Sequence, residues 1–149
     1  MTQKYALFFD IDGTLVSFQT HEIPASTILA LTQAKANGSR VYIATGRPPL
    51  IINNLGAIEH LIDGYITTNG ALCYVGDEMV TCQPIPKDDV MTCVEDCQER
   101  GNSLIIVGRK DVAVVGPRGD VDRIFRQMLA VKNLDKTSPL DVVLQQDND

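Results

Sequence analysis

An unbroken apolar run, Tyr5-Ala6-Leu7-Phe8-Phe9, ends abruptly in Asp10-Ile11-Asp12-Gly13-Thr14. A run without polar alternation predicts a strand covered on both faces, as in parallel α/β sheets whose crossover helices pack on either side. Two carboxylates two residues apart point the same way if the strand geometry persists. Left alone they repel, and one holds its proton. A divalent cation removes that conflict, and a pair of hard oxygen ligands suits magnesium. In that setting Asp10 can attack a phosphate ester and form an aspartyl phosphate. Asp12 can give a proton to the leaving oxygen and later take one from water. Gly13 permits a sharp turn, and the Thr14 hydroxyl can tie the loop down. The plain alternative is a strand that ends in an aspartate-rich turn. A match at four specified positions arises by chance in a chain this long roughly once in a thousand, and the strand context lowers that further.

The elements that follow fit the same sheet. Pro24 opens a helix that runs to about Asn37 and stops at Gly38. Val41 to Ala44 reads as a second buried strand, Leu50 to Leu55 as a helix, and Tyr65 to Thr67 as a third strand. The β-α-β-α-β order predicts an α/β fold with a parallel, doubly wound sheet. Ligands of such sheets bind at the carboxyl ends of strands, where Asp10, Thr45 and Asn69 all fall. Beyond Asn69-Gly70 the texture changes. Ala71 to Val75 and Met79 to Cys82 read as a hairpin across Gly76-Asp77. A helix from about Asp88 to Arg100, strands at Leu104 to Val107 and Val112 to Val115, and a helix from about Asp120 to Val131 follow, with Leu140 to Leu144 as a further strand. Helix, two strands and helix over a sheet is half of a ferredoxin-like unit.

Two further motifs carry chemistry. Thr45-Gly46-Arg47 offers a hydroxyl, backbone amides and a guanidinium at a strand end, which together suit an anion. Asn69 can hydrogen-bond a substrate oxygen or simply accept a left-handed turn. His21 and His60 have no partner spacing that suggests a role. The four cysteines, Cys73, Cys82, Cys93 and Cys97, lack zinc-type spacing and read as buried thiols. The 149 residues are 44% hydrophobic and 21% charged, enough for one domain or one and a fraction. A net charge of −6 disfavours nucleic-acid and anionic-membrane partners but not a small phosphorylated one. Met1-Thr2-Gln3-Lys4 leads straight into the first strand without a signal-peptide pattern, and no apolar run is long enough to span a membrane, so a cytoplasmic location is expected.

Asp10-Ile11-Asp12-Gly13-Thr14, Ile43-Ala44-Thr45-Gly46-Arg47-Pro48 and Thr68-Asn69-Gly70-Ala71 together resemble the haloacid dehalogenase superfamily, and within it the Cof-like sugar-phosphate phosphatases. The resemblance implies a Rossmann-like core over residues 1–82 and part of a ferredoxin-like α+β cap over 83–149. It implies a magnesium-dependent phosphohydrolase acting on small phosphomonoesters such as sugar phosphates. Asp10 and Asp12 would be the catalytic and metal-binding pair, and Thr45, Gly46, Arg47 and Asn69 would contact phosphate or substrate. The chain departs from the pattern in one respect. The superfamily places a lysine and a Gly-Asp acidic cluster after the cap. Lys110 and Gly119-Asp120-Val121-Asp122 match that order only superficially, being too close together and within the cap.

The sequence therefore looks like the N-terminal half of a longer enzyme. A non-catalytic remnant that binds phosphate or a protein, and a phosphomutase using the same residues, are the alternatives. Each absent electrostatic partner would cost on the order of 10²–10³ in rate. The purified 149-residue chain is accordingly expected to be weakly active or inactive. Hydrolysis of a phosphomonoester at ordinary enzyme rates, abolished by Asp10→Asn, would contradict this.

Overall fold

A computed structural model describes residues 4–131 and 137–145. The ends of the chain, including Met1 to Gln3 and the run after Gln145, lie outside the described residues. The chain divides into two compact units, Met1–Gln83 and Pro84–Asp149.

The first unit is built on one sheet with strand order β1-β2-β3-β4-β5. Strands β1 (Ala6–Phe9), β2 (Arg40–Ala44) and β3 (Gly64–Thr67) run parallel, while β4 (Leu72–Val75) and β5 (Glu78–Cys82) return as an antiparallel hairpin. Helix α1 (Ala25–Ala36) connects β1 to β2. Its start follows from Pro24, which presets φ and lacks the amide that would go unpaired, and its end from Gly38 at φ +85°. The parallel strands lie in chain order, with no reversal among the described residues, so the expected double winding is not seen there.

Nor is β1 covered on both faces as its apolar run suggests. Leu7 and Phe9 are partly buried, while Phe8 is 55% exposed and stacks on Tyr42 with ring centroids 4.9 Å apart. The core instead lies against the α1 side. Ile11, Leu15, Val16, Leu31, Val41, Ile43, Leu55, Ile58 and Leu61 form one buried cluster there. The helix expected at Leu50 to Leu55 is a single 3₁₀ turn, Pro49–Ile51. Asn53 and Asn54 follow at once, and side chains of this type compete with the helical ladder for backbone partners. The chain then carries Leu55 and Ile58 into the core.

The second unit packs α2 (Lys87–Glu99), the antiparallel hairpin β6 (Leu104–Val107) with β7 (Val112–Val115), α3 (Gly119–Val121) and α4 (Leu140–Gln145). Val94, Ile106, Ala113 and Val143 form its core. The helix expected from about Asp120 is present, with α3 continued by a π-helical stretch, Asp122–Met128, but the strand expected at Leu140 to Leu144 is helix α4. Pro139 starts that helix, its carbonyl accepting from the Val142 and Val143 amides, and this local start outweighs the strand preference of two adjacent valines. The cysteines are free thiols. None is buried; on α2 it is Val94 that is buried, while its neighbour Cys93 is exposed. No helix among the described residues is long and apolar enough to cross a membrane.

One ion pair ties the first unit together. Asp63, just before β3, accepts from the Val41 amide and from Lys35 Nζ, each at 2.7 Å. Burial alone would raise the Asp63 pKa, but Lys35, the Val41 N–H and Arg40 outweigh it and hold the carboxyl below its ordinary value of 3.8. A depressed carboxylate stabilises the fold above its unfolded pKa and loses that contribution as pH falls through the folded value. Asp63→Asn should therefore cost about 1–2 kcal/mol at neutral pH in denaturant titrations. The gap from wild type should begin to narrow as pH falls below about 4 and close only as pH passes through the depressed folded value.

Candidate active site

The parallel register sets Phe9 beside Ile43 and Ile43 beside Tyr65, so the carboxyl ends of β1, β2 and β3 lie side by side. Asp10, Thr45 and the Thr68–Gly70 turn follow immediately. What holds Asp10 and Asp12 at this edge is the residue between them. Ile11 is fully buried, as are Leu15 and Val16 within a few per cent, so the apolar members of the loop plug into the core while the aspartates stay at the rim. Main-chain bonds close the turn. Gly13 N–H donates to Val16 O at 2.9 Å, Val16 N–H to Ile11 O at 2.9 Å, and Leu15 N–H to the Asp10 and Ile11 carbonyls. The Thr14 tie expected of its hydroxyl is made by its amide, which donates to Ile11 O at 3.3 Å. Asp10 is exposed, and Asp12 is only about one-fifth exposed.

The Asp12 carboxylate faces Arg47. Arg47 Nε donates to Oδ2 and Nη2 to Oδ1, both at 2.7 Å, and Nη1 donates to the Ile51 carbonyl at 3.0 Å. Arg47 is 4% exposed. Its main chain is pinned as well. Its amide donates to Thr45 Oγ1 at 3.1 Å, and its carbonyl accepts from Thr68 N–H at 3.2 Å. Thr45 is itself buried, and its amide donates to Ile66 O. The β3 turn closes over the β2 turn, with Asn69 N–H donating to Thr45 O. Thr68 and Asn69 both take left-handed backbone, at φ 50° and 54°. Asn69 Oδ1 lies 3.0 Å from the place a Cβ on Gly46 would occupy, so glycine there lets the two turns meet.

The structure thus gathers Asp12, Thr45, Gly46, Arg47 and Asn69 into one linked set, with Asp10 at the adjoining strand end. The sequence reading missed the pairing of Arg47 with Asp12 and the Ile51 carbonyl that anchors it. Both depend on side-chain direction and on the register between strands far apart in the chain, which the residue types alone do not give. Among the described residues no three His, Cys, Asp or Glu side chains cluster as a metal cage. The donor chemistry still fits magnesium, which takes one or two carboxylates together with substrate oxygens rather than an all-protein cage. The exposed Asp10 carboxylate is such a donor.

Residues 7–147 match the family model of the haloacid dehalogenase-like hydrolases. The chain is 26% identical over 102 residues to YkrA of Bacillus subtilis, named a candidate phosphatase, a match that covers 68% of this chain and 38% of that one. Among solved structures it resembles the subclass IIB sugar phosphatase BT4131 at 45% identity and a TM-score of 0.85, covering 96% of this chain and 55% of the other. It also resembles the phosphatase BT1666 from Bacteroides thetaiotaomicron at 30% identity and a TM-score of 0.68, covering 84% and 46%. The chain therefore spans about half the length of these solved relatives and less of YkrA.

Gly13 gives a direct check on the loop. Its φ is +78°, and a Cβ there would lie 2.6 Å from Phe18 Cε2. Phe18 is exposed and can swing aside, so the backbone conformation decides the outcome. Gly13→Ala should destabilise the first unit by about 1–2 kcal/mol, measured by chemical denaturation.

Proposed function

The chain belongs to the haloacid dehalogenase-like hydrolases, and on that premise we propose that its strand-end site hydrolyses small phosphomonoesters, sugar phosphates foremost, through a covalent intermediate on Asp10. The observation that carries the reading is the division of labour between the two carboxylates. Asp10 is exposed at the rim, as a nucleophile must be, while Asp12 is recessed and held at both oxygens.

In this mechanism an Asp10 oxygen attacks phosphorus and the bond to the ester oxygen breaks. The departing alkoxide takes its proton from Asp12. Water then attacks the aspartyl phosphate, gives its proton to Asp12, and leaves as inorganic phosphate with the Asp10 carboxylate restored. Thr45 and the Gly46 backbone would receive phosphate oxygens, with Asn69 at the edge of the same pocket. Magnesium, held by the Asp10 carboxylate and the Asp12 main-chain carbonyl, would offset the charge of nucleophile and phosphate. The first unit would serve as core and the second as part of a substrate-selecting cap. A phosphomutase would use the same residues but would release no phosphate.

The test is phosphate release from a panel of phosphomonoesters with magnesium, run for wild type, Asp10→Asn and Asp12→Asn. Release should fall on the order of 10³-fold or more in Asp10→Asn. Stabilisation by beryllium fluoride, a mimic of the phosphoryl group on a carboxylate, should vanish in the same variant. Release that survives Asp10→Asn would overturn the proposal.

A further inference from the structure

An arginine at a phosphate site is ordinarily taken for a phosphate clamp, because its planar fork matches a phosphate as well as it matches a carboxylate. Arg47 is built differently. The edge of the guanidinium formed by Nε and Nη2 is spent on the two Asp12 oxygens, each at 2.7 Å, and Nη1 is held by the Ile51 carbonyl at 3.0 Å. Its main chain is fixed between the Thr45 hydroxyl and the Thr68 amide. At 4% exposure, the side chain has little room to turn. Presenting the same edge to a phosphate would mean releasing Asp12 into a recess with no charge partner.

We propose that Arg47 is a positioning residue that locks the Asp12 carboxylate in a single orientation, and that it does not itself grip the phosphate. This rests on the reading of Asp12 as proton donor and acceptor, but the lock can be tested without that reading. A carboxylate has about four acceptor sites, and the two used by Arg47 leave others for the leaving-group oxygen. A carboxylate free to rotate would spend much of its time turned away from that oxygen, and small misplacements at a reacting centre are costly in rate. The lock also explains why the arginine follows β2 so closely. The Thr45 hydroxyl that accepts from the Arg47 amide belongs to the residue proposed to meet the phosphate, so a single short turn sets both. Lysine carries the charge but not the fork, and would not reproduce the two-point hold.

Two measurements decide it. The first is a double-mutant cycle on chemical unfolding of the 149-residue chain with Asp12→Asn, Arg47→Met and the double variant. The pair should show a coupling of about tenfold or more in the unfolding equilibrium, equivalent to about 1.4 kcal/mol. Additive effects within about twofold would overturn the lock, whatever the activity. The second compares wild type with Arg47→Lys. The dissociation constant for inorganic phosphate in magnesium should stay within about threefold, while kcat for an alkyl phosphomonoester such as a hexose 6-phosphate, whose leaving alkoxide needs a proton, falls about 10²-fold with little change in KM. A phosphate constant and KM that rise together with kcat preserved would show a clamp and overturn the proposal. A coupled cycle in a chain that releases no phosphate would leave the lock standing and show only that these 149 residues do not suffice for hydrolysis.

Discussion

Two parallel strands that end side by side bring one carboxylate and one guanidinium into a recess, and the site is organised around their pairing. Asp12 follows β1, Arg47 follows β2, and the fork between them is bidentate at 2.7 Å on both arms. Removing one partner from a buried pair strands the other, a loss of about 3–5 kcal/mol when both are fully desolvated. Asp12 retains some solvent, so the value here belongs toward the low end. Even so, this exceeds what a surface pair contributes, which is commonly below about 1 kcal/mol. The exposed pairs Asp96–Arg100 and Asp120–Arg123 in the second unit are of that weaker kind.

The pair works only because the loop bearing Asp12 is anchored. Ile11, Leu15 and Val16 supply the anchor from the same loop that carries the chemistry. Apolar and acidic residues are interleaved, so burial of the first kind fixes the second kind at the rim. The Arg47 side is anchored by hydrogen bonds instead, from Thr45, Thr68 and Ile51. Left-handed backbone at Gly13, Thr68 and Asn69 lies at this edge. Such conformations persist where surrounding structure over-determines them, and they gather at functional sites.

Much of this was legible in the sequence, for reasons that can be located. The first three strands, the α1 boundaries and the hairpin across Gly76-Asp77 were written in local signals: apolar runs, Pro24, Gly38 and a two-residue turn. What misled were residues whose neighbours decide their state. Val142 and Val143 favour strand in isolation, yet Pro139 starts a helix through them. Leu50 to Leu55 has helical apolar spacing, but two asparagines end it after one 3₁₀ turn. The run Tyr5 to Phe9 implied cover on both faces, whereas Phe8 and Tyr5 are each more than half exposed. At the site, the residue types and their strand-end positions could be read directly. That Arg47 turns to Asp12 could not, because it depends on register between strands some thirty residues apart.

The central claim is that these two neighbouring aspartates have separate tasks, with only Asp10 becoming covalently phosphorylated. Acid quenching of the chain during turnover of para-nitrophenyl phosphate in magnesium, followed by peptide mass spectrometry, tests this directly. A phosphoryl group on Asp10 and on no other residue is the expected result. Phosphate release with no trapped intermediate, or a label on Asp12, would contradict the account.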